Sequence, residues 1–217
     1  VSKKPGNISF EEAASIPLAG LTALQSLEFA GIKENDKVLI HAGSGGVGSF
    51  AIQYAKTKGA YVYTTTSTTN VQWVKALGAD RVIDYKKEDY TSIVKDADIV
   101  FDTLGQNYTA EAFEVIKNGG KVVSVVGPLD EESAQMFGMN DYKLPDELAS
   151  LVRDHEASYK FIFMHPNGAH LEAIKSLMED EKIKPIIDTI YPFSESIDAF
   201  SHLASGRAKG KIVIKIN

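Results

Sequence analysis

The chain has no cysteine among its 217 residues. That excludes disulfides, a thiolate nucleophile and any Cys-ligated zinc or iron centre, and it agrees with a cytoplasmic address. No run approaches the roughly eighteen apolar residues of a membrane span. The opening "VSKKPGNISF" has no hydrophobic region behind its lysines, so neither a span nor a signal peptide is expected. Positive charge is also short: 23 Lys and Arg against 29 Asp and Glu leave a net charge of −6, which argues against a nucleic-acid surface. There is no G-x-S-x-G elbow of the kind an α/β-hydrolase needs, no internal repeat and no low-complexity tract. With 44% hydrophobic residues the chain can bury a full core, as one large domain or one domain with an appendage.

Short β-rich runs alternate with helical patterns. The runs are "KVLIHA" (37–42), "YVYTTT" (61–66), "RVIDY" (81–85), "DIVFDT" (98–103), "KVVSVV" (121–126) and "FIFM" (161–164), and the clearest intervening helices lie at 47–58, 70–77 and 107–117. This alternation predicts βαβ units, and right-handed crossovers then give an α/β fold with a doubly wound, parallel, six-stranded sheet of the Rossmann type. Ser9 and Glu12 have the spacing of a capping box ahead of an Ala-rich helix to about residue 30, broken at Pro17. The acidic stretch "GPLDEESAQMFGMNDYKLPDEL" reads as a surface excursion, followed by a helix at 146–157. At the C-terminal end, "KIKPIIDTIYPF" and "KGKIVIKIN" read as strands around a helix at 195–205. In the second of them Ile212, Ile214 and Ile216 fall on one side, with Lys211, Val213 and Lys215 on the other.

The densest feature is "HAGSGGVGSFAIQYAK" (41–56). Gly43-Ser44-Gly45-Gly46-Val47-Gly48 fits G-x-G-x-x-G directly after a predicted strand and at the start of a predicted helix. In such a turn the first glycine supplies dihedrals that side chains forbid, the second admits a pyrophosphate and the third lets helix pack on strand. Free N–H groups at the helix N-terminus then face the phosphates. A glycine-rich turn used for packing alone is the other reading; a mononucleotide P-loop is not, since no Gly-Lys-Ser/Thr follows. An NAD site would carry an acid about twenty residues on, at the end of the second strand. Here the chain reads Thr64-Thr65-Thr66-Ser67-Thr68-Thr69-Asn70, with no acid before Asp80. Hydroxyls and an amide can donate to a 2′-phosphate that a carboxylate would repel, which favours NADP(H). A threonine-rich strand end is also simply good β-sequence.

Together with "SFEEAASIPLAGLTAL", "ALGADRVIDYKKEDY", "DIVFDTLG", "GGKVVSVVG" and "SGRAKGKIVIKI", this stretch makes essentially the whole chain resemble the medium-chain dehydrogenase/reductase superfamily, in its zinc-independent, quinone oxidoreductase branch. The resemblance implies NADPH-dependent hydride transfer to a quinone or an α,β-unsaturated carbonyl, with a homodimer formed through the edge strand at "FIFM". It places Thr22 near the nicotinamide phosphate, Gly45, Gly46 and Val47 at the pyrophosphate, and Ser67 and Tyr85 at the 2′-phosphate. Leu104 and Gly105 fall beside the cofactor crevice, Phe161 and Phe163 at the nicotinamide amide, and Arg207 at the cofactor's far side. Ser44, Thr66, Asn70 and Gly127 complete the cofactor-binding set. Asn70 stands where some members place a lysine on the 2′-phosphate. No catalytic residue is assigned.

The family begins with a further β-rich domain of about 100 to 150 residues. By that resemblance, residues 1–20 are a linker and leading helix, 21–180 the dinucleotide-binding domain and 181–217 a return to that β-rich domain, so a fragment is expected. The alternatives are a non-catalytic NADPH-binding or interaction module and a piece of a zinc-dependent alcohol dehydrogenase. No zinc is expected here: the histidines at 41, 155, 165, 170 and 202 form no recognisable metal motif. Tyr54 and Lys58 have the spacing of a short-chain dehydrogenase acid pair, but on the first crossover helix, where coincidence is the simpler reading. Lysines 86, 87 and 95 alternate with acids as a solvated face does.

Overall fold

The computed structural model describes residues 1–216. The chain enters through a reciprocal cap. The Ser9 hydroxyl accepts from Glu12 N–H at 3.0 Å while the Glu12 carboxylate accepts from Ser9 N–H at 2.7 Å, starting α1 (Phe10–Ala14). Pro17, whose nitrogen has no proton to give, opens a second helix, α2 (Pro17–Phe29), so the break is a division into two helices. Residues Ala19 to Leu27 of α2 are buried without interruption.

Six strands follow: β1 (Lys37–Ile40), β2 (Tyr61–Thr66), β3 (Arg81–Asp84), β4 (Ala97–Asp102), β5 (Ile116–Ser124) and β6 (Ser158–Phe161). They form one parallel sheet in the order β3-β2-β1-β4-β5-β6, the doubly wound order in which the direction of winding reverses between β1 and β4. Helices α3 (Gly46–Thr57), α4 (Val71–Ala76), α5 (Tyr90–Ile93) and α6 (Asn107–Val115) make the crossovers, and α8 (Asp146–Asp154) and α9 (Gly168–Glu179) flank β6 in sequence. Successive side chains of a strand point to opposite faces, so each central strand feeds two cores. Val38 and Ile40 join Leu24, Leu27, Phe50 and Phe101, while Leu39 joins Ile83, Val100, Phe113 and Val122 on the other face. Burial on both faces is why these strands read as continuous apolar runs.

Three expectations need correction. The sixth strand lies at Ser158–Phe161, not 161–164, because β5 ends at Ser124, whose partner is Phe161. The acidic stretch after β5 is anchored and not simply superficial. Asp130 caps α7 (Glu131–Met136), accepts from Ser133 N–H at 3.0 Å and Phe161 N–H at 2.8 Å, and pairs with Lys160 at 2.9 Å. Ser133 Oγ donates to Phe161 O at 3.1 Å, so the outward backbone groups of Phe161 on this edge strand are already bonded. Lastly, β7 (Ile187–Pro192) and β8 (Lys211–Lys215) form a separate parallel pair joined by α10 (Ser196–Ala204), but the buried residue of β8 is Val213, on the lysine side, and Ile216, just past its end, is exposed. The inward side of β8 is set by its seat against the rest of the chain, which a two-residue period cannot reveal. Among the described residues no helix is long and apolar enough to cross a membrane.

Burial pushes the Asp130 carboxyl up, but the Lys160 ammonium and the Ser133 and Phe161 donors outweigh it and hold the carboxyl below the usual carboxylate range. Its contribution is therefore complete above the unfolded-state value of about 3.9 and is lost as pH falls through the folded-state value. Asp130→Ala should cost about 2 kcal/mol or more in urea unfolding at neutral pH, with the difference from wild type shrinking in acid.

Candidate functional site

The strand-to-helix turn after β1 is held by Thr65 on the neighbouring strand. Thr65 Oγ1 accepts from Ala42 N–H at 3.1 Å and Thr65 O from Gly43 N–H at 2.9 Å. The left-handed residue is Ala42 (φ 50°), and Gly43 is not left-handed, which corrects the role expected of the first glycine. Gly43 is glycine for want of space: a Cβ there would collide with Thr64 Oγ1 and lie 2.8 Å from Ile52 Cδ1. Gly48 is closed off in the same way by the Ala42 carbonyl, which lets α3 start against the strand. Gly45, the helix N-cap, differs, since a Cβ there would meet only Ala42 O at 3.3 Å. Its outer side is an open cradle at a helix N-terminus that no side chain caps among the described residues.

Beside it Ala42 and Ser44 line a cleft of about 1300 Å³ at the point where the sheet order reverses, while Gly45 itself, bridged to Gly210, stands outside that lining. Ser44, Thr66, Ser67, Asn70, Tyr85, Leu104 and Arg207, all expected site residues, line it. The Asn70 amide is fixed, donating to Ser67 Oγ at 3.1 Å and accepting from Trp73 Nε1–H at 3.0 Å. Tyr85 is 55% exposed, with its backbone N–H donating to Thr66 O at 3.1 Å. Arg207 and Lys209 reach the cleft because the adjoining Gly210 donates to Ser44 O at 2.8 Å and bridges to Gly45.

Sequence reasoning missed the acid beneath this cleft. Asp102, at the end of β4, is fully buried and takes four hydrogen bonds: Leu104 N–H at 2.9 Å, Gly105 N–H at 2.8 Å, Thr109 Oγ1–H at 2.6 Å and Ser124 Oγ–H at 2.9 Å. An acid directly after the apolar run Ile99-Val100-Phe101, at the buried end of the strand, was the signal that could have found it. Gly105 is left-handed (φ 68°), and a Cβ there would lie 2.9 Å from Val126 O.

Other expected residues stand outside the cleft lining. Thr22 is buried and donates to Leu18 O of its own helix at 2.7 Å. Gly127 N–H donates to Ser124 Oγ at 2.8 Å, and its tight space is filled by Tyr159 and Thr109. The Phe161 backbone is occupied as described, whereas Phe163 is exposed with its ring edge-on to Phe137 at 5.3 Å. Gly46 and Val47 belong to the first turn of α3, where a Cβ on Gly46 would collide with Lys211. Tyr54 donates to Glu28 at 2.6 Å and carries Lys58 over its ring, so that pair is engaged at the α2–α3 contact. Among the described residues no three His, Asp or Glu side chains converge as a metal site.

His41 also went unassigned by sequence. It is fully buried, edge-on to Tyr90 at 4.9 Å, with Nδ1 3.4 Å from Thr65 Oγ1 and no partner for Nε2 among the described residues. Burial pushes its pKa down to about 4, against the opposing pull of the Asp102 charge. The unfolded chain thus binds this proton first: protonation of His41 costs no stability above pH about 6.5, and stability is lost as pH falls from there toward 4. His41→Gln should flatten that part of the stability profile, followed as the urea midpoint between pH 7 and 4.

Comparison with known proteins places this geometry. The family model described as zinc-binding dehydrogenase matches residues 77–214. The chain is 37% identical over 218 residues to 2-methylene-furan-3-one reductase of Solanum lycopersicum, covering 99% of this chain and 49% of that protein. It is 35% identical to the NADPH-dependent alkenal/one oxidoreductase, chloroplastic, of Arabidopsis thaliana, covering 97% and 48%. The chain thus spans about half the length of these curated relatives. Its fold superposes on the quinone oxidoreductase from Coxiella burnetii with a TM-score of 0.84 at 34% identity, covering 99% of this chain and 63% of that one. The chain belongs to the zinc-binding dehydrogenase family, in the quinone oxidoreductase branch of the medium-chain dehydrogenase/reductase superfamily.

Proposed function

We propose that this chain is the cofactor-binding half of an NADPH-dependent reductase acting on a quinone or an α,β-unsaturated carbonyl. One observation carries the cofactor choice. The end of β2 brings Ser67 and Asn70 to the cleft beside Tyr85, Arg207 and Lys209, and β2 itself supplies no carboxylate. Hydroxyl, amide and cationic donors suit a 2′-phosphate dianion, and the Arabidopsis relative is named as an NADPH-dependent enzyme. The residues present fit the dinucleotide: Gly45 leaves a cradle no Cβ fills, and the α3 N-terminus turns its N–H groups toward an anion.

In this reading Ser44, Gly45, Gly46 and Val47 hold the pyrophosphate, while Thr66, Ser67, Asn70 and Tyr85 hold the phosphorylated ribose. Leu104 and Gly105 wall the crevice, and Arg207 closes its far side. Thr22, Gly127, Phe161 and Phe163 serve the nicotinamide end, where Phe163 is the better candidate for a backbone contact because the Phe161 groups are already bonded. The nicotinamide supplies a hydride when bound; the chain's residues bind and orient it and keep water from the ring. Hydride arriving on a conjugated acceptor leaves negative charge on the distal oxygen, which a proton from a donor or from solvent then neutralises.

Residues 21–180 form the cofactor domain on this reading, after a linker at 1–20. The segment 181–217 serves a β-rich unit, consistent with the separate β7–β8 pair and the outward Ile197, Phe200 and Leu203 of α10. No zinc enters the mechanism. A homodimer and a cytoplasmic address complete the proposal.

Nicotinamide fluorescence titration tests it. NADPH should bind the 217-residue chain more than tenfold tighter than NADH, about 1.4 kcal/mol, and Tyr85→Phe should erode the ratio. Equal affinities would overturn the NADP assignment, and no binding of either would overturn the cofactor-binding role.

A further inference from the structure

The wall of the cleft away from the glycine turn is aromatic and acidic. Tyr90 and Tyr108 line it with rings 6.3 Å apart, Leu104 presents an exposed side chain, and Glu111 lies one helical turn beyond Tyr108 on the same face of α6. Three carboxylates line the cleft, and two are engaged within the chain. Glu88 uses one oxygen on Arg81 and the other on Asp84 N–H, while Asp89 uses both on Thr91 and Ser92. Glu111 differs: Oε2 accepts from Tyr90 O–H at 2.8 Å, and Oε1 has no partner among the described residues. No cation pairs with it among the described residues either, so the free oxygen is an acceptor without a donor.

Burial, reinforced by the bond to Glu111, raises the Tyr90 phenol far above its ordinary range, so its hydroxyl keeps its proton and fixes the carboxylate's orientation. The dinucleotide of the proposed function is anionic along its phosphates and offers few donors at its adenosine end. The ribose hydroxyl stays with the ribose at the end of β2, which leaves the exocyclic 6-amine of the purine. A flat ring suits the Leu104 and Tyr108 surface, and its amine suits the free oxygen.

We propose that Glu111, oriented by Tyr90, reads the exocyclic amine of the adenine ring and makes this site selective for a 6-amino over a 6-oxo purine. This rests on the dinucleotide reading above. A carboxylate placed on the 6-substituent accepts a hydrogen bond from the amine of adenine but faces the carbonyl oxygen of hypoxanthine lone pair to lone pair, and could regain a donor only by shifting to the neighbouring N1–H, so the wrong base loses the bond the site is set for and meets repulsion.

The test is a fluorescence titration of the 217-residue chain with NADPH and with its hypoxanthine analogue, reduced nicotinamide hypoxanthine dinucleotide phosphate. NADPH is expected to bind about tenfold tighter or more. In Glu111→Gln, whose amide both donates and accepts, the ratio should collapse toward one while NADPH still binds. Equal affinities in the wild type, or an undiminished ratio in Glu111→Gln, would overturn the assignment and leave the cofactor role standing. Binding of neither dinucleotide would remove that role and this inference together. If Glu111→Gln does not fold, as judged by circular dichroism, Tyr90→Phe takes its place: it keeps the carboxylate but frees its rotamer, and the ratio should fall partway. An unchanged ratio in Tyr90→Phe would likewise overturn the assignment.

Discussion

An acidic side chain sealed inside a core is tolerated only where donors surround it, because an unmet buried charge costs several kcal/mol. Asp102 satisfies that condition with four donors from three places: two backbone N–H groups of the following loop, a hydroxyl from α6 and a hydroxyl from β5. Together they fix three separate pieces of chain around one point. The loop 103–106 turns away from the sheet, α6 is seated, and Ser124 is held where its oxygen accepts from Gly127 N–H. The crevice beside β4 therefore follows from one carboxylate, not from loop flexibility.

The other wall is built by a different economy of atoms. Thr64 and Thr65 of β2 turn their hydroxyls toward the β1 turn, donating to Ile40 O and accepting from Ala42 N–H. The threonines at the end of β2 thus do two jobs. They pack as β-sequence, and they leave the outer residues Ser67 and Asn70 at the rim of the cleft.

Much of this was legible in the sequence where a period or a motif constrains the chain. The β-rich runs of β1, β2 and β4 read as strands of a parallel sheet and form one, and the capping box at Ser9 and Glu12 formed as spaced. The glycine pattern located the turn but misassigned one role, since Gly43 is excluded from side chains by Thr64 and the left-handed backbone falls on Ala42. Partners distant in sequence were illegible for the same reason. Asp130 looks like one acid among many until Phe161 and Lys160 arrive beside it. His41 and Glu111 carry no motif either, and are brought together only by Tyr90, which lies between them.

The bridge between Gly45 and Gly210 has a temporal consequence. Residues 206–210 are translated after all six strands of the main sheet, yet they supply the roof of a cleft whose floor lies at the first of those strands. During synthesis the sheet can assemble with that cleft uncovered. The cleft has its Arg207 and Lys209 charges only when the chain has returned over it, so its charge depends on a segment that the six-stranded sheet does not need.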